Sequence, residues 1–396
     1  MLNNIPIVFC HGLLGWKNES ENGLHYFVAV EKLKKQEQGN LPRFIFSSTG
    51  PISSLHDQAC ELFFQLKGGL TDYGEEHSKN AGHKRYSRQY DNPEYPQWNS
   101  ENPLHFVGHS MGAPLIRLLQ YYLAEDYFYK NCGFQEHTSS DWIVSITTIA
   151  GVHNGSTLTW ILGADENTGL LKKDAKFIRF LSKFIEVIGK YQNKQKNKNF
   201  VFDLHLDQWD IENTQKIGNT ISNLSSKINF EGTDWAMYDL TPNSLSIYNS
   251  FIKEYKDTYY FSCKLSASFS LFGLIHLPIP FVARNFFFLN IIAMGLYKVK
   301  NSKWKKIEKL FHKNDGMCPT ESQGYPFLSR TDNNYVYYEL NKDIPVKGKW
   351  NVLKNIPAMD HGELAMIPHF SKLKNNITFY KNLIQMLANL DLRKEK

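Results

Sequence analysis

Paired cysteines and a large excess of one charge are both missing from this sequence of 396 residues. Its five cysteines are widely spaced and include no C-x-x-C pair, which argues against a disulfide framework and against a thiolate zinc site. The 45 basic and 39 acidic residues leave a net charge of +6, far below that of a general nucleic-acid binder. We therefore expect neither a disulfide-stapled domain nor a nucleic-acid partner.

The sequence also lacks a convincing membrane span or signal peptide. Residues 265–282 contain no Lys, Arg, Asp or Glu, but three serines, His276 and two prolines interrupt the run. The first residues, Met-Leu-Asn-Asn-Ile-Pro, lack the basic and apolar regions of a signal peptide. We expect no transmembrane segment, and either a cytoplasmic protein or the trimmed form of a secreted one.

Aromatic residues, by contrast, are abundant, at 14% of the chain. This is more flat apolar surface than a core needs, so we expect part of it to face a ligand or lipid.

Seven lysines cluster between Lys298 and Lys313. A solvated helix or loop explains them most simply, and attraction to an anionic membrane is the alternative.

Short apolar runs alternate with longer helical patterns, which is typical of an α/β fold with a mostly parallel sheet. The predicted strands are Pro6–Cys10, Phe44–Phe46, Leu104–Val107, Trp142–Ile149 and Thr258–Ser262. We expect one domain over residues 1–396 with two insertions. The first covers residues 51–98, and the second covers residues 163–234, of which 170–191 have the periodicity of an amphipathic helix.

The clearest catalytic pattern is Gly108-His-Ser-Met-Gly112, which follows a predicted strand and precedes a helical pattern. In a nucleophile elbow the serine sits at a strained turn, and both glycines are needed because the neighbouring backbones pass close to one another. Ser110 is therefore the predicted nucleophile.

A serine nucleophile needs an imidazole base and a carboxylate that orients the imidazole. In α/β folds with a nucleophile elbow, the serine, the carboxylate and the histidine follow the chain order Ser, acid, His. Asp315 and His361 fit that order, while Asp360 and His369 are the rival acid and base.

Backbone N–H groups must then stabilise the oxyanion of the tetrahedral intermediate. The segment His11-Gly-Leu-Leu-Gly15 directly follows the first predicted strand and has the form of an oxyanion loop. The N–H groups of Leu13 and Met111 are the predicted donors, and a plain strand-to-helix turn is the alternative.

A second group of polar residues lies in the first insertion. Asp57, His77 and His83 fall within 27 residues and could supply N and O ligands to Zn²⁺, with a fourth ligand from elsewhere. Spacing alone does not separate a metal site from unrelated surface side chains.

Taken together, the ordered motifs resemble the zinc-containing bacterial triacylglycerol lipases of the thermoalkalophilic and staphylococcal type. The matching segments are Pro6–Gly12, Gly50–Ser54, Asp57–Glu61, Gly68–His77, Gly82–His83, Gly108–Gly112, Ser145–Ala150, Leu206–Trp209, Thr233–Asp234, Tyr238–Leu240, Asn314–Gly316 and Asp360–His361. The resemblance implies an α/β-hydrolase fold with helices on both faces of the sheet, a zinc-binding insertion and a helical lid at residues 170–191. It also implies an acylglycerol or other lipid ester as substrate, action at a lipid–water interface, and secretion.

Residue by residue, the resemblance implies a triad of Ser110, Asp315 and His361 and a structural zinc site of Asp57, His77, His83 and Asp234. The family also binds calcium beside the catalytic histidine. Glu363 matches one calcium ligand, but no Asp follows it in Leu364–Pro368, so the resemblance leaves calcium in doubt.

The sequence thus predicts a lipase or carboxylesterase that cleaves acylglycerols through a Ser-His-Asp triad and an acyl-enzyme intermediate. A phospholipase or acyltransferase with the same triad is the first alternative. A zinc metallohydrolase and a non-catalytic lipid-binding protein are the others.

Overall fold

The structure is a computed structural model. It describes residues 4–18, 25–37, 39–172, 176–177, 181, 203–211, 227–273, 275–353, 356–366 and 369–392. The predicted lid helix over residues 170–191 lies largely outside the described residues. Of that helix, only residues 170–172, 176, 177 and 181 are described.

The described chain alternates strands with helices. The strands are β1 (Ile7–Cys10), β2 (Phe44–Phe46), β3 (Gly69–Asp72), β4 (Tyr86–Tyr90), β5 (Leu104–His109), β6 (Ile143–Ile149), β7 (Tyr259–Cys263), β8 (Leu265–Ser266), β9 (Ser268–Leu271), β10 (Ile275–Pro278), β11 (Tyr335–Tyr338), β12 (Trp350–Leu353) and β13 (Ile356–Pro357). The helices are α1 (Val28–Gln36), α2 (Leu55–Lys67), α3 (Glu75–Ala81), α4 (Gly112–Ala124), α5 (Tyr127–Asn131), α6 (Thr157–Ile161), α7 (Ala236–Asp239), α8 (Pro242–Phe251), α9 (Asn285–Gly295) and α10 (Leu373–Ala388).

Seven strands form one sheet in the order β11-β12-β7-β6-β5-β1-β2, and every neighbouring pair in it is parallel. The central strands β1 and β5 are buried along their whole length, as expected for a sheet covered on both faces. Residues of β1 alternate between two hydrophobic clusters. Phe9 packs with residues of α1 and α10, and Val8 packs with residues of α2 and α4.

The predicted α/β architecture is confirmed, with helices on both faces of a mostly parallel sheet. All five predicted strands are present with ends within two residues of the prediction. Two strands were not predicted from the sequence: β11, at one edge of the sheet, and β12 beside it.

Smaller sheets lie outside the central one. An antiparallel hairpin, β3–β4, flanks α3 within residues 51–98, whereas α2 in the same range is buried and packs against α4. A second hairpin, β9–β10, and strand β8 form from the uncharged run at residues 265–282. None of the helices in the described ranges is long and apolar enough to cross a membrane. The limits of the two predicted insertions stay predictions.

Candidate active site

Ser110 lies in a tight turn between β5 and α4. Its φ of +56° is in the left-handed region, which is strained for a residue with a side chain. A Cβ on Gly108 would lie 2.5 Å from the carbonyl oxygen of Gly112, and a Cβ on Gly112 would lie 2.6 Å from that of Cys10. Side chains are therefore excluded on both sides of the turn, which presents Ser110 at the carboxyl edge of the central strand.

The structure brings the three predicted triad residues together at this edge. Nε2 of His361 lies 2.8 Å from Oγ of Ser110, and Nδ1 of His361 lies 2.8 Å from Oδ2 of Asp315. Asp315 and His361 reach Ser110 from segments that follow β10 and β13. The imidazole can therefore accept the serine proton at one nitrogen while the carboxylate accepts a hydrogen bond from the other.

The carboxylate of Asp315 is buried and held by further donors. Its Oδ1 accepts hydrogen bonds from the N–H groups of Met317 at 3.0 Å and Cys318 at 2.8 Å. Its Oδ2 accepts one from Nε2 of Gln323 at 2.9 Å. These donors fix the plane of the carboxylate that faces His361. Gln323 was not predicted, because no local sequence pattern marks it.

A second chain of hydrogen bonds joins the proposed oxyanion loop to the base. The N–H of Gly12 donates to the Tyr26 hydroxyl at 3.0 Å, and this hydroxyl lies 2.7 Å from Nδ1 of His109. Nε2 of His109 donates to the carbonyl oxygen of His361 at 2.9 Å. Burial holds the pKa of His109 well below its ordinary value, so the ring is neutral and Nδ1 accepts the Tyr26 proton. The sequence analysis did not identify Tyr26 or this role of His109.

The predicted oxyanion donors lie beside Ser110. A Cβ on Gly12 would lie 2.7 Å from Cβ of Ser110, so the loop that carries Leu13 packs directly on the nucleophile. Neither Leu13 N–H nor Met111 N–H donates to a backbone carbonyl within the described part of the chain. Both groups are thus free to bind an oxyanion, and their role stays a prediction.

An apolar cavity opens next to the nucleophile. It is lined by Leu13, Ser110, Val152, Ser156, Leu158, Thr159, Leu162, Met237, Leu240 and Met317. Helix α6 supplies one wall and the segment around α7 supplies the other. The cavity therefore offers aliphatic surface at the position where a substrate carbonyl would meet Ser110.

The rival acid and base are engaged elsewhere. Asp360 is buried and forms an ion pair with Arg284, whose Nε donates to it at 2.8 Å. Nε2 of His369 donates to the carbonyl oxygen of Val282 at 3.2 Å. Neither residue contacts Ser110.

A second polar cluster consists of Asp57, His77, His83 and Asp234, whose ligating atoms all lie within 4.8 Å of one another. Nε2 of His77 is 3.1 Å from Asp57 and 3.3 Å from Asp234. Nε2 of His83 is 3.4 Å from Asp57 and 3.3 Å from Asp234. Helices α2 and α3, the loop after α3 and the segment before α7 thus each contribute one side chain. Together the four side chains could hold a metal ion.

The hydrogen bonding within this cluster is incomplete. Nε2 of His83 and both carboxylate oxygens of Asp234 are buried without an aligned hydrogen bond. Although burial lowers the pKa of both imidazoles, the adjacent carboxylates of Asp234 and Asp57 raise the pKa of His77 to about 9 and that of His83 to about 10. Buried polar atoms without partners are rare in proteins, and two carboxylates that face two imidazoles form the N/O ligand set of a divalent cation.

Neighbouring side chains orient the four ligands. Nδ1 of His83 donates to the carbonyl oxygen of Lys84 at 2.7 Å, which directs Nε2 toward the carboxylates. Nε2 of Gln208 donates to Asp57 at 3.2 Å, and the His56 ring stacks on His77 with centroids 3.5 Å apart. The contact of His56 with His77 was not predicted. Gln208 lies within the matching segment Leu206–Trp209, but its hydrogen bond to Asp57 was not predicted either.

Aromatic rings cover part of this cluster. The rings of Tyr73 and Trp209 do pack edge-on against His83, with centroids 5.3 Å and 5.6 Å away. Trp98, however, packs against Trp142 in the core below the sheet. Its indole N–H reaches the Trp142 carbonyl there, so it is a core residue.

Glu363 is buried near His369. Its carboxylate accepts hydrogen bonds from the N–H of His369 at 2.9 Å and from the Asn376 side chain at 3.1 Å. Within the described ranges it joins no group of three or more metal-ligating side chains. Calcium binding at Glu363 stays a prediction.

The chain matches a known protein family over nearly its whole length. A family model described as "Lipase-like, C-terminal domain" matches residues 3–396. Lipase 2 of Staphylococcus aureus (strain MRSA252) is 26% identical over 419 aligned residues, which cover 100% of this chain and 55% of that protein. The chain thus spans about half the length of the curated relatives it matches.

Two solved structures resemble the chain over nearly its whole length. EstA from Clostridium botulinum is 29% identical with a TM-score of 0.80, and the match covers 98% of this chain and 88% of that one. Lipase 1 from Pelosinus fermentans is 27% identical with a TM-score of 0.74, and the match covers 98% of this chain and 100% of that one.

Proposed function

Because the chain belongs to the lipase-like C-terminal domain family, we propose that it is a serine-dependent carboxylic-ester hydrolase that cleaves acylglycerols. The observation that carries the proposal is the hydrogen-bonded series Ser110–His361–Asp315, with 2.8 Å at each step. Two of the similar proteins, from Staphylococcus aureus and Pelosinus fermentans, are named lipases, which supports the same substrate class.

In the proposed acylation step, Oγ of Ser110 attacks the ester carbonyl while Nε2 of His361 accepts the hydroxyl proton. Asp315 stabilises the resulting imidazolium, and the N–H groups of Leu13 and Met111 bind the oxyanion. His361 then returns the proton to the departing alcohol as the C–O bond breaks. Water attacks the acyl-serine by the same path, which releases the fatty acid and restores Ser110.

The walls of the cavity beside Ser110 match the chemistry of an acyl chain, because they are mostly Leu, Val and Met side chains. The predicted lid is part of the proposal. Phe177, within the predicted lid helix, is buried and its ring lies 5.2 Å from that of Trp235. An inward apolar face of this kind is what a lid over an acyl-binding cleft needs.

We further propose that the cluster of Asp57, His77, His83 and Asp234 binds Zn²⁺. Two imidazoles and two carboxylates satisfy a tetrahedral zinc ion with protein atoms alone, which leaves no open position for substrate. Bound zinc therefore supplies a structural crosslink, and its four ligands tie α2 and the region around α3 to the segment that precedes α7.

The experiment that tests the catalytic proposal combines labelling with hydrolysis. A serine-reactive fluorophosphonate should label the wild-type chain at Ser110, as mapped by mass spectrometry, and should not label Ser110→Ala. Ser156→Ala, which changes another serine of the same cavity, is the matched control and should still be labelled. Tributyrin and trioleoylglycerol emulsions should be hydrolysed faster than phosphatidylcholine vesicles.

Other outcomes identify the alternatives. Faster cleavage of phosphatidylcholine would make the protein a phospholipase with the same triad. Hydrolysis that survives in Ser110→Ala but disappears with a chelator, while the chain stays folded, would make it a metallohydrolase. Absence of both labelling and hydrolysis would leave a lipid-binding protein without catalysis.

A further inference from the structure

An exposed apolar surface lies on the hairpin β9–β10, on the turn after it and on α9; we name it the aromatic face. Its most exposed members are Phe272 at the hairpin tip, with 88% of its surface accessible, the fully exposed Phe281, and Leu289 at 71%. Phe269, Phe286 and Phe288 are also exposed. Several large apolar side chains exposed on neighbouring elements mark a candidate site of interaction with another molecule or with a membrane.

Helix α9 already has a buried side, so its outward residues are not needed for the core. Phe287, Ile291 and Met294 recur at helical spacing and are buried. Leu289 lies on the opposite side of the helix and Phe286 and Phe288 lie on its two flanks, and these exposed residues are apolar as well. A helix that only had to pack on a protein core would carry polar residues on that side.

Two members of the aromatic face have unusual backbone conformations. Phe272 has a φ of +52° and Phe281 a φ of +61°, in the left-handed region that bulky residues seldom adopt. Each therefore sits at a sharp turn that directs a large ring into solvent. Strain of this type is common at functional positions.

A basic segment follows the aromatic face directly along the chain. Its exposed lysines are Lys298, Lys300, Lys303, Lys305, Lys306 and Lys309. Among the described residues, Lys305 is the one member of this set with a carboxylate partner, Glu308. No Asp or Glu occurs between residues 258 and 307. The nearby carboxylate of Glu166 accepts hydrogen bonds from the backbone N–H groups of Lys300 and Asn301.

The basic segment is fixed in place next to the aromatic face. Trp304 and Phe311 are buried within it, and the indole N–H of Trp304 donates to the carbonyl oxygen of Glu166 at 2.9 Å. Nε2 of His312 donates to the carbonyl oxygen of Tyr297 at 2.9 Å, just beyond the end of α9. The lysines and the exposed rings therefore belong to one ordered region.

We propose that the aromatic face and the basic segment together dock the protein on the surface of an anionic phospholipid bilayer. Aromatic and leucine side chains insert at the boundary between headgroups and acyl chains, and neighbouring lysines are attracted to anionic headgroups. Arg284 does not contribute, because Asp360 neutralises it. The unpaired lysines favour this occupant over a second copy of the chain, whose identical basic segment would repel the first.

Docking in this orientation places the candidate active site at the lipid. The ring of Phe287 lies 6.3 Å from that of His361, and α9 contacts α6, which lines the cavity beside Ser110. Binding to the bilayer does not depend on the proposed esterase activity. It is therefore measured with Ser110→Ala, which leaves the vesicles intact if the proposed function is correct.

The first test is vesicle flotation of Ser110→Ala with two lipid compositions. Partition onto vesicles of phosphatidylcholine with phosphatidylglycerol should exceed that onto phosphatidylcholine alone by at least about tenfold, since several lysines approach the surface. Raising NaCl to about 1 M should remove most of that difference, because salt screens exposed charges. Equal partition onto both vesicles would overturn the proposal.

The second test changes the two surface elements separately in the same background. Phe272→Asn with Phe281→Asn should lower partition at least about tenfold while the fold survives, because asparagine tolerates a left-handed backbone and two inserted rings are lost. Tyr337→Asn with Ile344→Asn removes two exposed apolar side chains elsewhere and is the matched control. It should change nothing.

Charge reversal tests the basic segment. Lys298→Glu with Lys306→Glu should abolish the preference for phosphatidylglycerol. The matched control is Lys32→Glu with Lys34→Glu, on exposed positions of α1, which makes the same change in net charge. The control pair should retain the preference for phosphatidylglycerol. An equal loss in both pairs would reduce the effect to overall charge and overturn the proposal. So would a dimer in solution that the Phe272→Asn and Phe281→Asn pair dissociates.

Discussion

The triad and the metal cluster are both built from buried histidines and carboxylates, but they differ in how their atoms are satisfied. In the triad, both ring nitrogens of His361 have a hydrogen-bond partner. Asp315 accepts three hydrogen bonds besides the one from His361. In the metal cluster, His83 and Asp234 keep buried atoms without aligned partners. A fully hydrogen-bonded set of residues can move a proton, whereas an incompletely hydrogen-bonded set of the same residue types has atoms that could hold an ion.

The largest expected effect is the loss of hydrolysis when the triad is changed and the metal cluster is left intact. Ser110→Ala should lower kcat on tributyrin by at least about 10⁴-fold, since the acyl-enzyme can no longer form. Metal content by mass spectrometry and the melting temperature should stay close to those of the wild type. If removing the metal lowered kcat equally while the chain stayed folded, the assignment of catalysis to the triad and of stability to the metal cluster would be wrong.

Loss of the metal should instead act on stability. Asp234→Ala should lower metal content and reduce the melting temperature by at least about 5 °C, because a site that ties distant segments together is lost. At 20 °C, kcat should remain near that of the wild type. Asp207→Ala removes a carboxylate that pairs with Arg88 outside the cluster and is the matched control. A fall in kcat at 20 °C with unchanged stability would instead give the metal a catalytic role.

The two forms of the metal cluster should also diverge with pH. Without an ion, the pKa values of His77 and His83 are raised to about 9 and about 10. The stability that the protonated rings provide is therefore complete below about pH 6.5, the unfolded value, and is lost as the pH rises through 9 to 10. Calorimetry should show the gap in melting temperature between loaded and chelated protein widening from pH 6 to pH 9. A constant gap would mean that these rings are neutral in the metal-free chain.

A smaller effect should follow from breaking the chain of hydrogen bonds behind the triad. Tyr26→Phe deprives Gly12 of its acceptor and His109 of its donor, which should lower kcat about tenfold with little change in KM. Tyr260→Phe removes an equally buried hydroxyl, which donates to Gln120, and controls for lost stability alone. Equal kcat values for the two variants would reduce Tyr26 to a structural residue.

The smallest effect concerns the rival base. His369→Asn should leave kcat within about twofold of the wild type, since its imidazole bonds to a backbone carbonyl away from Ser110. His361→Asn, assayed in parallel, should lose nearly all activity. A comparable loss at His369 would return that residue to the triad.

The parts of the site that sequence could predict are those marked by local patterns. Gly108 and Gly112 must be glycines because two backbones meet there, so they identify Ser110 at once. Asp57, His77 and His83 cluster in the sequence, whereas Asp234 was found only through the family resemblance.

The parts that sequence could not predict depend on contacts that no local pattern marks. Tyr26 and His109 are 83 residues apart. Gln323 is close to Asp315 in the sequence, but it reaches the carboxylate only through a short helical turn. The edge strand β11 was missed because it has four residues and is only partly buried, so it lacks the apolar run of a central strand.

The distance along the chain between nucleophile and base has a consequence during synthesis. Ser110 and His361 are separated by 251 residues, so a nascent chain can form the elbow long before its base exists. Contacts that join remote segments also form late in folding, because the intervening chain must first be ordered. On the proposed mechanism, an unfinished polypeptide would carry an inert serine, and ester cleavage would begin only once residue 361 has been made and folded.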